Sequence, residues 1–177
     1  MKAPCLLAFC VLWCSSAFAG VADSAANGFT IKIAVTIQAS PADVYNKLLR
    51  VGDWWDSQHT FSGSAHNMSI EDKPLGCWCE KVGNGAVRHM QVITAIPAKS
   101  LVFSGALGPL QSMAVSGSMS FSFMEDQGAT KLQVTYAVGG YLAAGLNKLA
   151  GPVDTVLTQQ INRFRNFVEQ GRPDPAH

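Results

Sequence analysis

Two residue pairs near the middle of the chain, Glu80 with His89 and Cys77 with Cys79, are of types that do chemistry. Glu80 and His89 flank Gly83-Asn84-Gly85, and Asn-Gly is the strongest short hairpin signal. If the turn pairs Val82 with Ala86 or Val87, the carboxylate and the imidazole fall nearly opposite one another. A carboxylate so placed orients the ring and raises its basicity, which makes a general base. The face decides the outcome. On the inner face the pair is a polar spot in an apolar interior and a candidate acid–base pair. On the outer face it is an ordinary cross-strand contact contributing a fraction of a kcal/mol. Trp78 and Val82 share Glu80's face, and Val87, Gln91 and Ile93 share His89's. These neighbours are compatible with the inner face, and both readings stay open.

Cys77 and Cys79 lie two apart in a strand, so both thiols project from one face and Trp78 from the other. A disulfide between them is awkward in a regular strand, where alternate alpha carbons sit about 6.6 Å apart. A zinc site needs about four ligands. Only His59, His66 and Glu80 are near in sequence, and Glu80 points away from the thiols. Two small packed side chains are the leading expectation; a disulfide or redox pair and a reactive thiol at the cavity mouth are alternatives, and the cysteines are weak metal candidates.

A second group of residues is suited to contacting an apolar ligand. Trp54, Trp55 and His59 follow the first helix, and two adjacent tryptophans on one helical turn are not both expected to face a core. Met113, Met119, Phe121 and Tyr136 alternate along two strands, as core residues or as an adaptable lining of methionine and aromatic side chains. Asn147 and Asp154 lie on the last helix, where Asp154 follows Pro152 and offsets a helix dipole.

The elements that position these residues follow from periodicity. Phe29, Ile31, Ile33, Val35 and Ile37 alternate with polar or small residues, the pattern of a half-buried strand. Ser40-Pro41 opens a helix carrying Val44, Leu48 and Leu49, and Asp53–Asp56 forms a second short turn. Strands are expected at 68–71, 77–82, 86–96, 101–106, 113–123 and 132–138. Beyond Gly139-Gly140 the period becomes about 3.6, from Leu142 to Val168, with a bend or break at Gly151-Pro152. Consecutive strands with tight turns make an antiparallel sheet with one apolar face. One helix, about 10 Å across, is too narrow to cover it. The sheet must curl, with Gly105, Gly117, Gly139 and Gly140 as bend points, and a gap between sheet and helix is where a small apolar ligand binds.

The order resembles the helix-grip fold of the START/Bet v 1-like (SRPBCC) superfamily over about Phe29 to Glu169. Local phrases resemble its bacterial polyketide cyclase/dehydrase or lipid-transport-like branch: Ala39-Ser40-Pro41-Ala42-Asp43-Val44-Tyr45, Trp54-Trp55, Gly105-Ala106-Leu107-Gly108-Pro109-Leu110 and Val153-Asp154. The expected fold class is α+β, a curved antiparallel sheet of six to seven strands around a long C-terminal helix, with two short helices after strand one.

Lys2, the apolar run Cys5–Cys14 and Ala17-Phe18-Ala19 have the layout of a secretory signal peptide over residues 1–19, cut before Gly20. Residues 20–28 then form a flexible leader, residues 29–170 the ligand-binding domain, and residues 171–177 a disordered tail. Loss of Lys2 takes the formal charge from +1 to neutral, which gives nucleic acid or an anionic membrane no electrostatic purchase. No integral membrane span is expected after cleavage, and the location is periplasmic or secreted. No nucleotide, GxSxG, HExxH or dinucleotide signature occurs, and no cofactor is expected. The leading expectation is an exported carrier of a small hydrophobic ligand (a lipid, isoprenoid or polyketide-like molecule). The alternatives are a cyclase or dehydratase using Glu80 and His89, and a protein-interaction module.

Overall fold

The computed structural model describes residues 18–174. It is an α+β helix-grip fold. Eight antiparallel strands, β1 (Phe18–Ala25), β2 (Gly28–Ile37), β3 (Met68–Ile70), β4 (Cys77–Val82), β5 (Gly85–Ile96), β6 (Ser100–Gly105), β7 (Ala114–Asp126) and β8 (Ala129–Tyr141), form one sheet. Their order is β1-β2-β8-β7-β6-β5-β4-β3, so β2 closes beside β8 and every other neighbour is sequential. Helices α1 (Pro41–Leu49) and α2 (Val51–Trp54) follow β2, and α3 (Asn147–Gln170) ends the fold.

The alternation of β2 does what it predicts. Phe29, Ile31, Ile33, Val35 and Ile37 are all buried. On β7 and β8, Met119, Phe121, Phe123, Leu132, Val134, Tyr136 and Val138 continue the same inner face. Ser40 caps α1 by accepting a hydrogen bond from the Asp43 amide at 3.2 Å, with Pro41 at the first helical position. Helix α3 starts at Asn147, later than the periodicity suggested, and runs unbroken through Pro152.

Residues 20–28, expected as a flexible leader, are corrected. Most of them belong to β1, which pairs with β2 from Phe18↔Ala34 to Ala25↔Gly28. Backbone pairing holds this edge strand where no apolar alternation announces it. The Ala26 carbonyl accepts from the Leu146 amide at 2.9 Å and the Asn27 carbonyl from the Gly140 amide at 3.1 Å. β1 raises the strand count above the expected six to seven. The first part of the expected tail is also ordered: Asn166 Nδ2 donates to the Pro173 carbonyl at 3.2 Å, and Arg163 pairs with Asp174. The proposed signal sequence falls almost wholly on residues outside the described ones, as do residues 175–177.

Two of the four expected bend points are close approaches. A Cβ on Gly117 would lie 2.7 Å from the Ala137 carbonyl oxygen, and one on Gly140, at φ +145°, would lie 2.3 Å from the Ala114 carbonyl oxygen. Only glycine lets the strands pass so near at the bend.

The concave face is paved with aromatic rings. Phe164 of α3 packs on Trp54 (centroids 5.0 Å), Trp54 on Trp55 (5.6 Å), Trp55 on Trp78 (5.2 Å), Trp78 on Phe103 (5.6 Å) and Phe103 on Phe121 (6.0 Å). These rings and helices α1 and α2 fill most of the gap that the sheet's width implied. Of the adjacent pair, Trp54 is fully buried and Trp55 is 7% exposed. Helix α2 ends at Trp54, and Trp55 turns to extended backbone (φ −66°, ψ 146°), so the two side chains leave in different directions.

Candidate functional site

A hollow lies between two loops and the last helix. Its walls are the loop after α2 (Trp55, Gln58–Phe61), the loop after β6 (Leu107–Leu110, with Met113) and the N-terminal half of α3 (Leu149, Pro152, Val153, Val156, Leu157). It encloses about 400 Å³ and opens to solvent, a size within the range of small-molecule sites. His89 is the sheet residue that reaches it.

β5 delivers His89 through an irregularity. Near the hairpin the register is Val82↔Gly85, Glu80↔Val87 and Cys79↔Arg88; one step on, Trp78 faces Met90. His89 is the extra residue of a β-bulge, so His89 and its neighbour Met90 both turn inward. The expectation that Gln91 and Ile93 share His89's face is therefore corrected: Met90 and Val92 are buried, and Ile93 is exposed. A second shift after Val92 leaves Ile93 on the outside. Two registers compete along this strand. One brings His89 to Glu80 and the other buries Met90 and Val92; the bulge satisfies both.

Glu80 and His89 are 1% and 3% exposed, and Glu80 Oε2 lies 2.9 Å from His89 Nε2. The carboxylate also accepts from the backbone amides of Phe61 (3.1 Å) and Ser62 (2.5 Å). Burial pushes the Glu80 pKa up, but these hydrogen bonds from Ser62 and Phe61, with the one from His89, outweigh it and hold the group below its ordinary 4.5. Burial pushes His89 below 6.5, and the nearby Glu80 only partly offsets this. His89 is thus neutral at pH 7. Since the carboxylate can only accept, the ring proton sits on Nε2 and the Nδ1 lone pair is left for another partner. Gln111 Nε2 lies 3.4 Å from it, and Phe61 lies against the ring with centroids 5.8 Å apart.

The signs of the two shifts agree. Each group binds its proton more readily in the unfolded chain, so the stability contributed is complete above about pH 6.5. It falls as pH drops from there through the lowered pKa of His89, and again below 4.5 for Glu80. Urea midpoints should fall from pH 7.5 to 5.5, and His89→Gln should flatten that upper part of the profile. An unchanged midpoint in the parent protein would contradict a buried neutral imidazole.

The cavity walls are pinned from behind. Tyr136 Oη accepts from the Leu107 amide at 3.0 Å, and burial pushes this phenol up to about 12. Gln160 is fully buried, and its Oε1 accepts from the Asp56 amide at 2.8 Å. Arg163 Nε donates to the Trp54 carbonyl at 3.1 Å. Of the expected ligand contacts, Trp55, His59 and Met113 line the cavity. Trp54, Met119, Phe121 and Tyr136 do not; they are packed in the core, where the ring series leaves no space. The walls that sequence reading missed lie in 107–110 and on α3. Leu149, Val153, Val156 and Leu157 were visible as an amphipathic stripe, but a stripe does not say which of its residues meet protein and which meet a hollow.

Cys77 and Cys79 are joined by a disulfide on the opposite face from Glu80. Their alpha carbons are 5.3 Å apart, well short of a regular strand's spacing and within the range a disulfide spans. With both sulfurs bridged they are not a soft-metal pair. Among the described residues, no cluster of three or more His, Cys, Asp or Glu could hold a metal ion. Asp154 is partly buried on α3 and receives a 3.4 Å contact from Thr158 Oγ1, and Asn147 is the first residue of that helix.

No family model and no curated protein matches the chain. Solved structures do. The conserved protein EF2215 from Enterococcus faecalis superposes with a TM-score of 0.60 at 15% identity, covering 90% of this chain and 80% of its own. CalU16 from Micromonospora echinospora gives 0.60 at 14%, covering 91% and 87%. Ara h 8.0201 gives 0.55 at 13%, covering 80% and 97%. At such identities the likeness is one of fold, and that fold is the helix grip expected from the START/Bet v 1-like resemblance.

Proposed function

We propose that the protein binds a small, largely apolar molecule in the cavity beside His89 and serves as its carrier outside the cytoplasm. The observation that carries this reading is the cavity itself: about 400 Å³, walled mainly by aliphatic and aromatic side chains, with a single buried polar group. Affinity would come from apolar burial at about 25 cal/mol per Å². Export is supported by the signal-like layout of residues 1–19 and by the Cys77–Cys79 disulfide, a bond that persists in oxidising compartments. No helix among the described residues is long and apolar enough to cross a membrane.

Native mass spectrometry of protein purified without detergent tests the reading. A retained small molecule is expected. Val153→Trp, which pushes an indole into the cavity from α3, should lose it while the protein stays folded. A protein that holds nothing and takes up no apolar probe would defeat the proposal.

The second reading is an enzyme, favoured by one observation: Glu80 holds Nε2 of His89, a cavity-lining residue, and leaves its Nδ1 as an acceptor. That is the arrangement of a carboxylate-oriented general base. Once the retained molecule is identified, its unchanged recovery after long incubation would argue against turnover. Conversion abolished by His89→Gln would support it.

A further inference from the structure

The electrostatics of the cavity restrict what the ligand can carry. We infer that it selects neutral molecules bearing a hydroxyl or phenol donor, and rejects carboxylate and phosphate amphiphiles of the same size. This rests on the binding reading above and sharpens it.

Three observations converge. No lysine, arginine, aspartate or glutamate lines the cavity; its titratable residues are His89 and, at the exposed rim, His59. The polarity of His89 is fixed by its neighbour. Glu80, held as an acceptor by the Phe61 and Ser62 amides, obliges Nε2 to donate, so Nδ1, the remaining ring nitrogen of this cavity-lining residue, is an acceptor. An anion brought to that nitrogen meets a lone pair, with the Glu80 charge directly behind the ring. A hydroxyl meets a buried acceptor in apolar surroundings, where a hydrogen bond is strong and an unmade one is costly.

The third observation is Gln111. Its side chain is exposed, and its amide lies at 3.4 Å, the outer limit of a hydrogen bond to Nδ1. A long bond to a solvated side chain is readily exchanged. Gln111 holds the acceptor loosely and moves aside for a better donor.

The test uses three two-ring probes of matched size at pH 7.5: 2-naphthol, naphthalene and 2-naphthoate, each followed by the change in its fluorescence on titration with the full protein. 2-Naphthol should bind at least tenfold more tightly than 2-naphthoate and several-fold more tightly than naphthalene. His89→Phe should remove the advantage over naphthalene. Because that variant leaves Glu80 short of a partner, Gln111→Ala provides a second arm that does not disturb the core. It should tighten 2-naphthol two- to fivefold and leave naphthalene unchanged. Binding of 2-naphthoate as tight as 2-naphthol would overturn the inference, as would a naphthol preference that survives His89→Phe. If none of the probes binds, the cavity reading falls and takes this one with it. If naphthalene binds as well as 2-naphthol, only the selectivity is lost.

Discussion

Replacing Glu80 by alanine lowers the unfolding free energy by about 3–5 kcal/mol, because the hydrogen-bond donors gathered around this buried carboxylate lose their acceptor. The reason lies in what is left behind. The amides of Phe61 and Ser62 and the Nε2–H of His89 all donate to this carboxylate. Without it, three buried or half-buried donors lose their acceptor, and each orphan costs about 1–3 kcal/mol if water does not enter. Glu80 joins three parts of the molecule: β4, the bulge of β5, and the loop that forms one cavity wall. Glu80→Gln should cost less, because one amide oxygen can still accept, but its NH2 then opposes a donor. Urea unfolding of the three proteins gives the order directly. An alanine variant within about 1 kcal/mol of the parent would mean that the loop does not depend on this carboxylate.

Phe164→Ala should cost a comparable amount, about 3–5 kcal/mol, by the mechanism of core truncation. Phe164 is fully buried and is the point where α3 meets the aromatic series through Trp54. Its removal loses the transfer free energy of the ring and leaves a void that its rigid neighbours cannot collapse to fill. The effect should also reach ligand binding. Arg163, the preceding residue, ties α3 to the Trp54 carbonyl, and Trp55 next to it lines the cavity. Thermal unfolding with and without an apolar probe separates the two consequences. A small stability loss would mean that the helix is held mainly by its contacts with β1 and β2.

The parts of this molecule that could be read from sequence are those where one periodicity acts alone. β2, β7 and β8 alternate without interruption, and their inner residues are the ones found buried. Ser40-Pro41 opened a helix because capping is a local event. The Asn-Gly hairpin brought Glu80 towards His89, although the pairing begins at Val82↔Gly85, one residue tighter than expected. The failures share a different cause. β1 is an edge strand of small polar residues held by backbone bonds, which leave no mark on side-chain pattern. In β5, Val87, His89, Gln91 and Ile93 and the set Met90 and Val92 alternate equally well, and a bulge lets the strand change from one to the other. The cavity walls come from loops placed by single long-range bonds such as Tyr136 to Leu107, which no window of sequence contains.

The bulge on β5 has a consequence for how the site is built into the sheet. Counting from the hairpin, the ladder reaches Cys79↔Arg88 and resumes at Trp78↔Met90. Excise His89 alone and the two runs join into an uninterrupted ladder, with Trp78 opposite Met90 as the next regular rung. The group at the centre of the proposed chemistry is thus a supernumerary stitch: the fabric closes without it, and what disappears is the one buried polar acceptor offered to the hollow.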